Sequence, residues 1–76
     1  MAEKMLDATG LSCPLPVLKA RKTLQAMTPG QTLEVLATDP GAVDDFPHFC
    51  DTAGHKLLDS SIIERNVFRF VIQNGG

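Results

Sequence analysis

The chain predicts an α/β two-layer sandwich of the α+β type. Its elements run βαβαββ, with one mixed four-stranded sheet and both helices on one face. Three observations carry this reading. Val17, Ala20, Leu24 and Met27 recur at three- and four-residue spacing, the core stripe of an amphipathic helix over Pro14 to about Met27. That helix lies between two strand-like stretches, Met5-Leu6-Asp7 and Gln31 to Thr38, and strand–helix–strand succession implies a right-handed crossover with parallel strands. Toward the C-terminus, Lys56 to Ile63 and Val67 to Gln73 read as two more strands around the polar turn Glu64-Arg65-Asn66. Seventy-six residues leave room for one core, so 1–76 is expected to be a single domain.

Each element has its own warrant. Gly10 is the turn that leaves the first strand. Pro14 and Pro16 suit the first helical turn, where a missing N–H has no intrahelical partner; this places them at N1 and N3 with Cys13 at the cap. Thr28-Pro29-Gly30 stops the helix. Leu33, Val35 and Ala37 share one face of the second strand, and Leu36 adds apolar character to the other, so this strand should be buried in the sheet. Asp39-Pro40-Gly41 is a turn. Pro47 argues against one helix running through 42–53, so Asp45 is expected to cap a short second helix. Phe46, Phe49, Cys50 and Ala53 would face inward, and Gly54 would end the helix. In the third strand Leu58 and Ile62 are apolar. In the last, Phe68, Phe70 and Ile72 lie on one face, with Arg69 on the other amid Val67 and Val71.

The chemistry centres on Gly10-Leu11-Ser12-Cys13-Pro14-Leu15-Pro16-Val17. A sulfur at a helix N-terminus sits at the positive end of the macrodipole, which favours thiolate over thiol. The prolines remove two amides that would otherwise point at it, leaving those of Leu15 and Val17 as candidate donors. Pro14 and Pro16 also fix two φ angles and hold the sulfur at one spot. This is a presented sulfur. Cys50, by contrast, shares its side with Phe46 and Phe49 and is expected to be structural, with a resolving or relay role as the alternative.

Leu6-Asp7-Ala8-Thr9-Gly10-Leu11-Ser12-Cys13-Pro14-Leu15-Pro16 resembles the signature of the TusA family of small sulfur carriers, whose hallmark is Cys-Pro-x-Pro. Arg21-Lys22-Thr23-Leu24, Met27-Thr28-Pro29-Gly30, Asp39-Pro40, Asp45-Phe46-Pro47-His48-Phe49-Cys50, His55-Lys56-Leu57 and Phe68-Arg69-Phe70-Val71-Ile72 fall in the order that family shows. The resemblance implies the same fold and a persulfide carried on Cys13. A cysteine desulfurase or a rhodanese-type protein would load it, and a downstream relay protein would accept the sulfur, as in thiolation of tRNA uridines or another sulfur pathway. Such a protein is a relay rather than a self-contained enzyme. No base, substrate pocket or cofactor motif is evident beside Cys13, and no cofactor is expected. Leu15 occupies a variable position of the motif at which an acidic or polar residue is frequent.

Leu15 and Leu18 lie with Lys19 and Lys22 on the outward half of the first helix, and Arg21 sits nearer the margin of the core stripe; the two leucines ringed by the three cations form a candidate docking face for transient partners. The plainer account is solvated charge with scattered exposed leucines. Asp39, Asp44 and Asp45 are explained by turns and caps alone. His48-Phe49-Cys50 is too tight for the usual zinc pair and there is no Cys-x-x-Cys, so no metal site is expected. The formal charge of -2 argues against direct nucleic-acid binding. The absence of an apolar run near the ~18 residues that span a bilayer argues against a membrane protein. Met1-Ala2-Glu3-Lys4-Met5 holds no signal-peptide core, which predicts a cytoplasmic protein with free thiols. A monomer is expected. Gly75-Gly76 reads as a flexible tail; the terminal Gly-Gly of ubiquitin-like carriers belongs to a different strand order. Two rivals stand beside the carrier: a regulatory or adaptor module using the first helix, with Cys13 incidental, and an RNA-binding sandwich.

Overall fold

The architecture was determined as a computed structural model, which describes residues 3–75. The elements are β1 (Lys4–Ala8), α1 (Leu15–Gln25), β2 (Thr32–Ala37), α2 (Ala42–Ala53), β3 (Lys56–Glu64) and β4 (Val67–Gln73). The sheet order is β1-β2-β4-β3, with β1 parallel to β2 and the other pairs antiparallel. This is the expected βαβαββ sandwich.

Register explains the core. Val35 lies between Leu6 and Phe70, Ala37 lies between Ala8 and Phe68, and Leu33 faces Ile72, so the apolar residues of three strands line up on one face. Both helices cover that face. α2 presses Phe46 onto Phe70 with ring centroids 4.6 Å apart, and α1 contributes Ala20 and Leu24. The opposite face carries Arg69 between Glu34 and Asp59, in ion pairs with both.

Several boundaries differ from the sequence reading. α1 begins at Leu15, with Pro14 at the cap and Pro16 inside the first turn, one position later than expected. Pro16 is fully buried, which the apolar spacing did not show. α2 is one helix that runs through Pro47, and Asp45 is not its cap. The turn starts it instead: the amides of Ala42, Val43 and Asp44 bond the carbonyls of Asp39, Pro40 and Gly41. Pro47 forfeits one internal bond, on a side of the helix where Pro47 and Val43 are both exposed to solvent. Burial of Phe46 and Phe49 on the other side offsets that loss. Ala53 is exposed rather than inward. Gly54 ends the helix as expected, in the left-handed conformation at φ 79°. Irregularities in β3 shift its register at Leu58 and Ile63, and Leu58 and Ile62 are exposed.

The C-terminal segment is not a free tail. Asn74 is buried, and its Nδ2 donates to the carbonyls of Leu24 and Met27 at 3.0 Å and of Thr28 at 3.2 Å. It thereby ties the end of β4 to the turn that leaves α1, where the Leu24 and Thr28 carbonyls also accept the Met27 and Gln31 amides. Gly75 donates its N–H to His55 Nδ1 at 3.0 Å, and a Cβ there would fall 1.8 Å from the Gly54 carbonyl oxygen. Only glycine fits. Gly76 lies outside the described residues.

Candidate functional site

The site is assembled where β1 and β2 both end. After Ala8 the chain turns on Asp7, whose Oδ1 accepts from the Thr9 hydroxyl at 2.6 Å and the Thr9 amide at 3.0 Å. These bonds, the hydroxyl's first, hold the Asp7 carboxyl below its ordinary value. Gly10, at φ 80°, donates its N–H to the Thr38 hydroxyl at 2.8 Å and so ties this turn to the end of β2. The loop that leaves β2 then runs beside Ser12-Cys13-Pro14.

Cys13 is a free, exposed cysteine, joined to Pro14 by a cis peptide bond. Its backbone N–H donates to Asp39 Oδ2 at 2.9 Å, and its thiol donates to Asp45 Oδ2. A Cβ at Gly41 would lie 3.1 Å from Asp39 Oδ2, pressing on the carboxylate that takes the Cys13 amide, and 3.6 Å from Cys13 Cβ, an ordinary contact. Two carboxylates therefore meet one cysteine from a segment some thirty residues away.

This arrangement reverses the expected thiolate bias. The Cys13 thiol is pushed above its ordinary value, first by its hydrogen bond to Asp45, then by partial desolvation, then by the charges of Asp45 and Asp39. The helix end supplies little to oppose them. Cys13 lies one residue outside the Pro14 cap, and the Leu15 amide donates to the Ser12 carbonyl at 2.9 Å. A whole negative charge in contact outweighs a fractional positive one at a helix end.

From Cys13 a groove of about 290 Å³ opens between the helices, lined by Val17, Asp45, His48, Phe49 and Thr52. Phe49 also borders a second hollow of about 430 Å³ farther along the same helix pair, where Arg21, Met27 and His55 line the walls. Cys50 is 3% exposed, and burial pushes its thiol up to about 11. Leu15 and Leu18 are 48% and 49% exposed, and Lys19, Arg21 and Lys22 are exposed with them. Arg21 stands apart, on the inter-helix side rather than the outer face. Pro14 is exposed, whereas Pro16 anchors the start of α1 in the core.

Sequence reasoning passed over Asp39, Gly41 and Asp45 as site residues. Turn and cap chemistry accounted for them, and their contact with Cys13 spans 26 residues for Asp39 and 32 for Asp45. The one available signal was the run of aspartates beside a strand end parallel to the strand that precedes Cys13.

Comparisons with known proteins agree with this geometry. The chain is 51% identical over 71 residues to the sulfur carrier protein TusA of Allochromatium vinosum, covering 93% of this chain and 92% of that one. It is also 51% identical over 74 residues to a putative sulfur carrier protein of Neisseria meningitidis serogroup A, covering 97% and 99%. The crystal structure of a SirA-like protein from Desulfitobacterium hafniense superposes with a TM-score of 0.84 at 23% identity, over 96% of this chain and 99% of that chain, which establishes the shared fold. Residues 4–74 match the family described as Sulfurtransferase TusA. A match over nearly the whole chain, with a Cys-Pro-x-Pro sulfur at the junction of β1 and α1, places this protein in the TusA family.

Proposed function

We propose that the protein is a sulfur carrier that accepts sulfane sulfur as a persulfide on Cys13 and passes it to a downstream acceptor. The observation that carries the reading is an exposed free cysteine, held by its backbone at a strand–helix junction and open to a groove. Family membership and the names of the two sulfur-carrier relatives support it. Cys13 Sγ bonds to the outer sulfur of a donor persulfide as the donor's own S–S bond breaks. The Cys13 proton ends on the departing donor sulfur. Donor persulfide and carrier thiol become donor thiol and carrier persulfide, with no net oxidation, by the logic of thiol–disulfide exchange.

The donor is a cysteine desulfurase or a rhodanese-type protein. The acceptor is a sulfur-relay protein, as in 2-thiouridine synthesis in tRNA or another sulfur-trafficking route. Leu15, Leu18, Lys19 and Lys22 form the docking face for such partners, with Arg21 at its inter-helix margin, supported by their exposure. The carrier works in the reducing cytoplasm, where both thiols stay free. Among the described residues no helix is long and apolar enough to cross a membrane.

Intact-protein mass spectrometry after incubation with a cysteine desulfurase and cysteine tests the proposal. A gain of roughly 32 Da, reversed by reductant and absent in Cys13→Ser, is expected from persulfide chemistry. No gain from a desulfurase, a rhodanese or polysulfide would turn the assignment to an adaptor using α1.

A further inference from the structure

The geometry points to Asp45 as the residue that keeps the proton on Cys13 while the carrier is free, so that its sulfur rests as an unreactive thiol until a donor docks. The inference deepens the carrier assignment and rests on it for its biological meaning, but its physical content stands alone.

Three features place Asp45 in this role. Its carboxylate is the direct acceptor of the Cys13 thiol hydrogen. It extends from the first turn of α2, a position set by the Asp39–Gly41 turn and by the Phe46 side chain that follows it into the core. Asp39 separately takes the Cys13 amide at 2.9 Å, so the backbone is held while the thiol faces Asp45.

The charged groups around the sulfur are few. Asp39 comes from the loop after β2, and Asp45 and His48 come from α2; α1 brings only Pro14 and Val17 to this end of the groove. Among the described residues, a thiol here meets negative charge from two elements and no fixed positive charge in the groove. The thiolate is the form that reacts with disulfides and oxidants, so a carrier built this way resists side reactions when unescorted. Exchange needs the proton to leave, and a donor that brings positive charge against Asp45 lowers the barrier to that loss. Asp45 therefore touches a reacting atom, although no property of the motif around Cys13 announces it.

The test uses the full chain and iodoacetamide, a neutral probe that local charge does not steer. Alkylation of Cys13, resolved from Cys50 by peptide mass spectrometry, is followed from pH 6 to 10. The native protein should react with a midpoint above the ordinary cysteine range. Asp45→Asn keeps the shape and removes the charge; its midpoint should fall, and alkylation at pH 7 should become several-fold faster. Asp39→Asn, at the backbone amide, should move it less. Unchanged thermal unfolding of Asp45→Asn shows that the fold is intact, and Asp45→Ser serves if the asparagine variant unfolds. A midpoint unmoved in the folded Asp45 variant, or moved more by Asp39→Asn, overturns the inference. The two claims fail separately: loss of sulfur loading by the native protein would remove the carrier assignment and leave the Asp45 shift standing.

Discussion

The two cysteines have the same chemistry and opposite surroundings. Both thiols are pushed above their ordinary value, Cys13 by an acceptor carboxylate at the surface and Cys50 by burial in the core. The difference lies in what can undo each shift. A docking partner can reach Asp45 and change the charge beside Cys13, but only unfolding re-solvates Cys50. A raised pKa therefore marks a switchable group in one place and a packing residue in the other. The cause of the shift separates them, not its direction.

The largest effect expected from this contrast is on sulfur loading. Cys13→Ser should abolish it and Cys50→Ser should retain it, read by intact mass; loading that required Cys50 would erase the contrast. Next comes stability at high pH. The unfolded Cys50 thiol ionises near its ordinary 9.0 while the native one holds its proton to about 11. Across that window the native state binds more protons, so stability is fully present below pH 9 and falls as pH rises toward 11. The loss attributable to Cys50 is about 2–3 kcal/mol. Urea unfolding of native protein and Cys50→Ala at pH 8 and pH 11 measures it, and equal losses in both would show that Cys50 is not the source.

A smaller effect concerns packing. Cys50→Ser puts a hydroxyl among Phe46, Phe49 and their neighbours and should destabilise by about 1–3 kcal/mol. Cys13→Ser at the surface should stay within about 0.5 kcal/mol. Equivalent unfolding midpoints for the two would contradict the assigned surroundings. The smallest effect tests docking: reversing Lys19 and Lys22 to glutamate should slow loading several-fold at low salt and little at high salt, as screened steering requires. Thermal unfolding should not change. A loading rate indifferent to both substitutions would remove the α1 face from the docking surface.

How far the site was legible depended on range along the chain. The Cys13 position, the helix behind it and the inward set Leu33, Val35, Ala37, Phe70 and Ile72 follow from local patterns of period 3.6 and 2. Pro47 misled because proline's local penalty was set against no knowledge of what α2 would bury. Asp45 misled in the same way: a cap explained it locally, and its decisive contact lies far away at Cys13. Asn74 drew no reading at all, because its contacts with the carbonyls of Leu24, Met27 and Thr28 are equally remote in sequence.

The amino-acid order alone determined that a helix follows the cysteine, that four strands share one sheet, and that the sulfur is presented rather than enclosed. Those outcomes depend on periodicity and on proline and glycine stereochemistry, which act over a few residues. Tertiary structure alone decided which charges stand beside the sulfur. The parallel pairing of β1 with β2 brings their ends together, the Asp39–Gly41 loop passes beside Cys13, and a carboxylate 32 residues away contacts its thiol. Electrostatic energy depends on distance in space, and no local pattern in the chain records that distance.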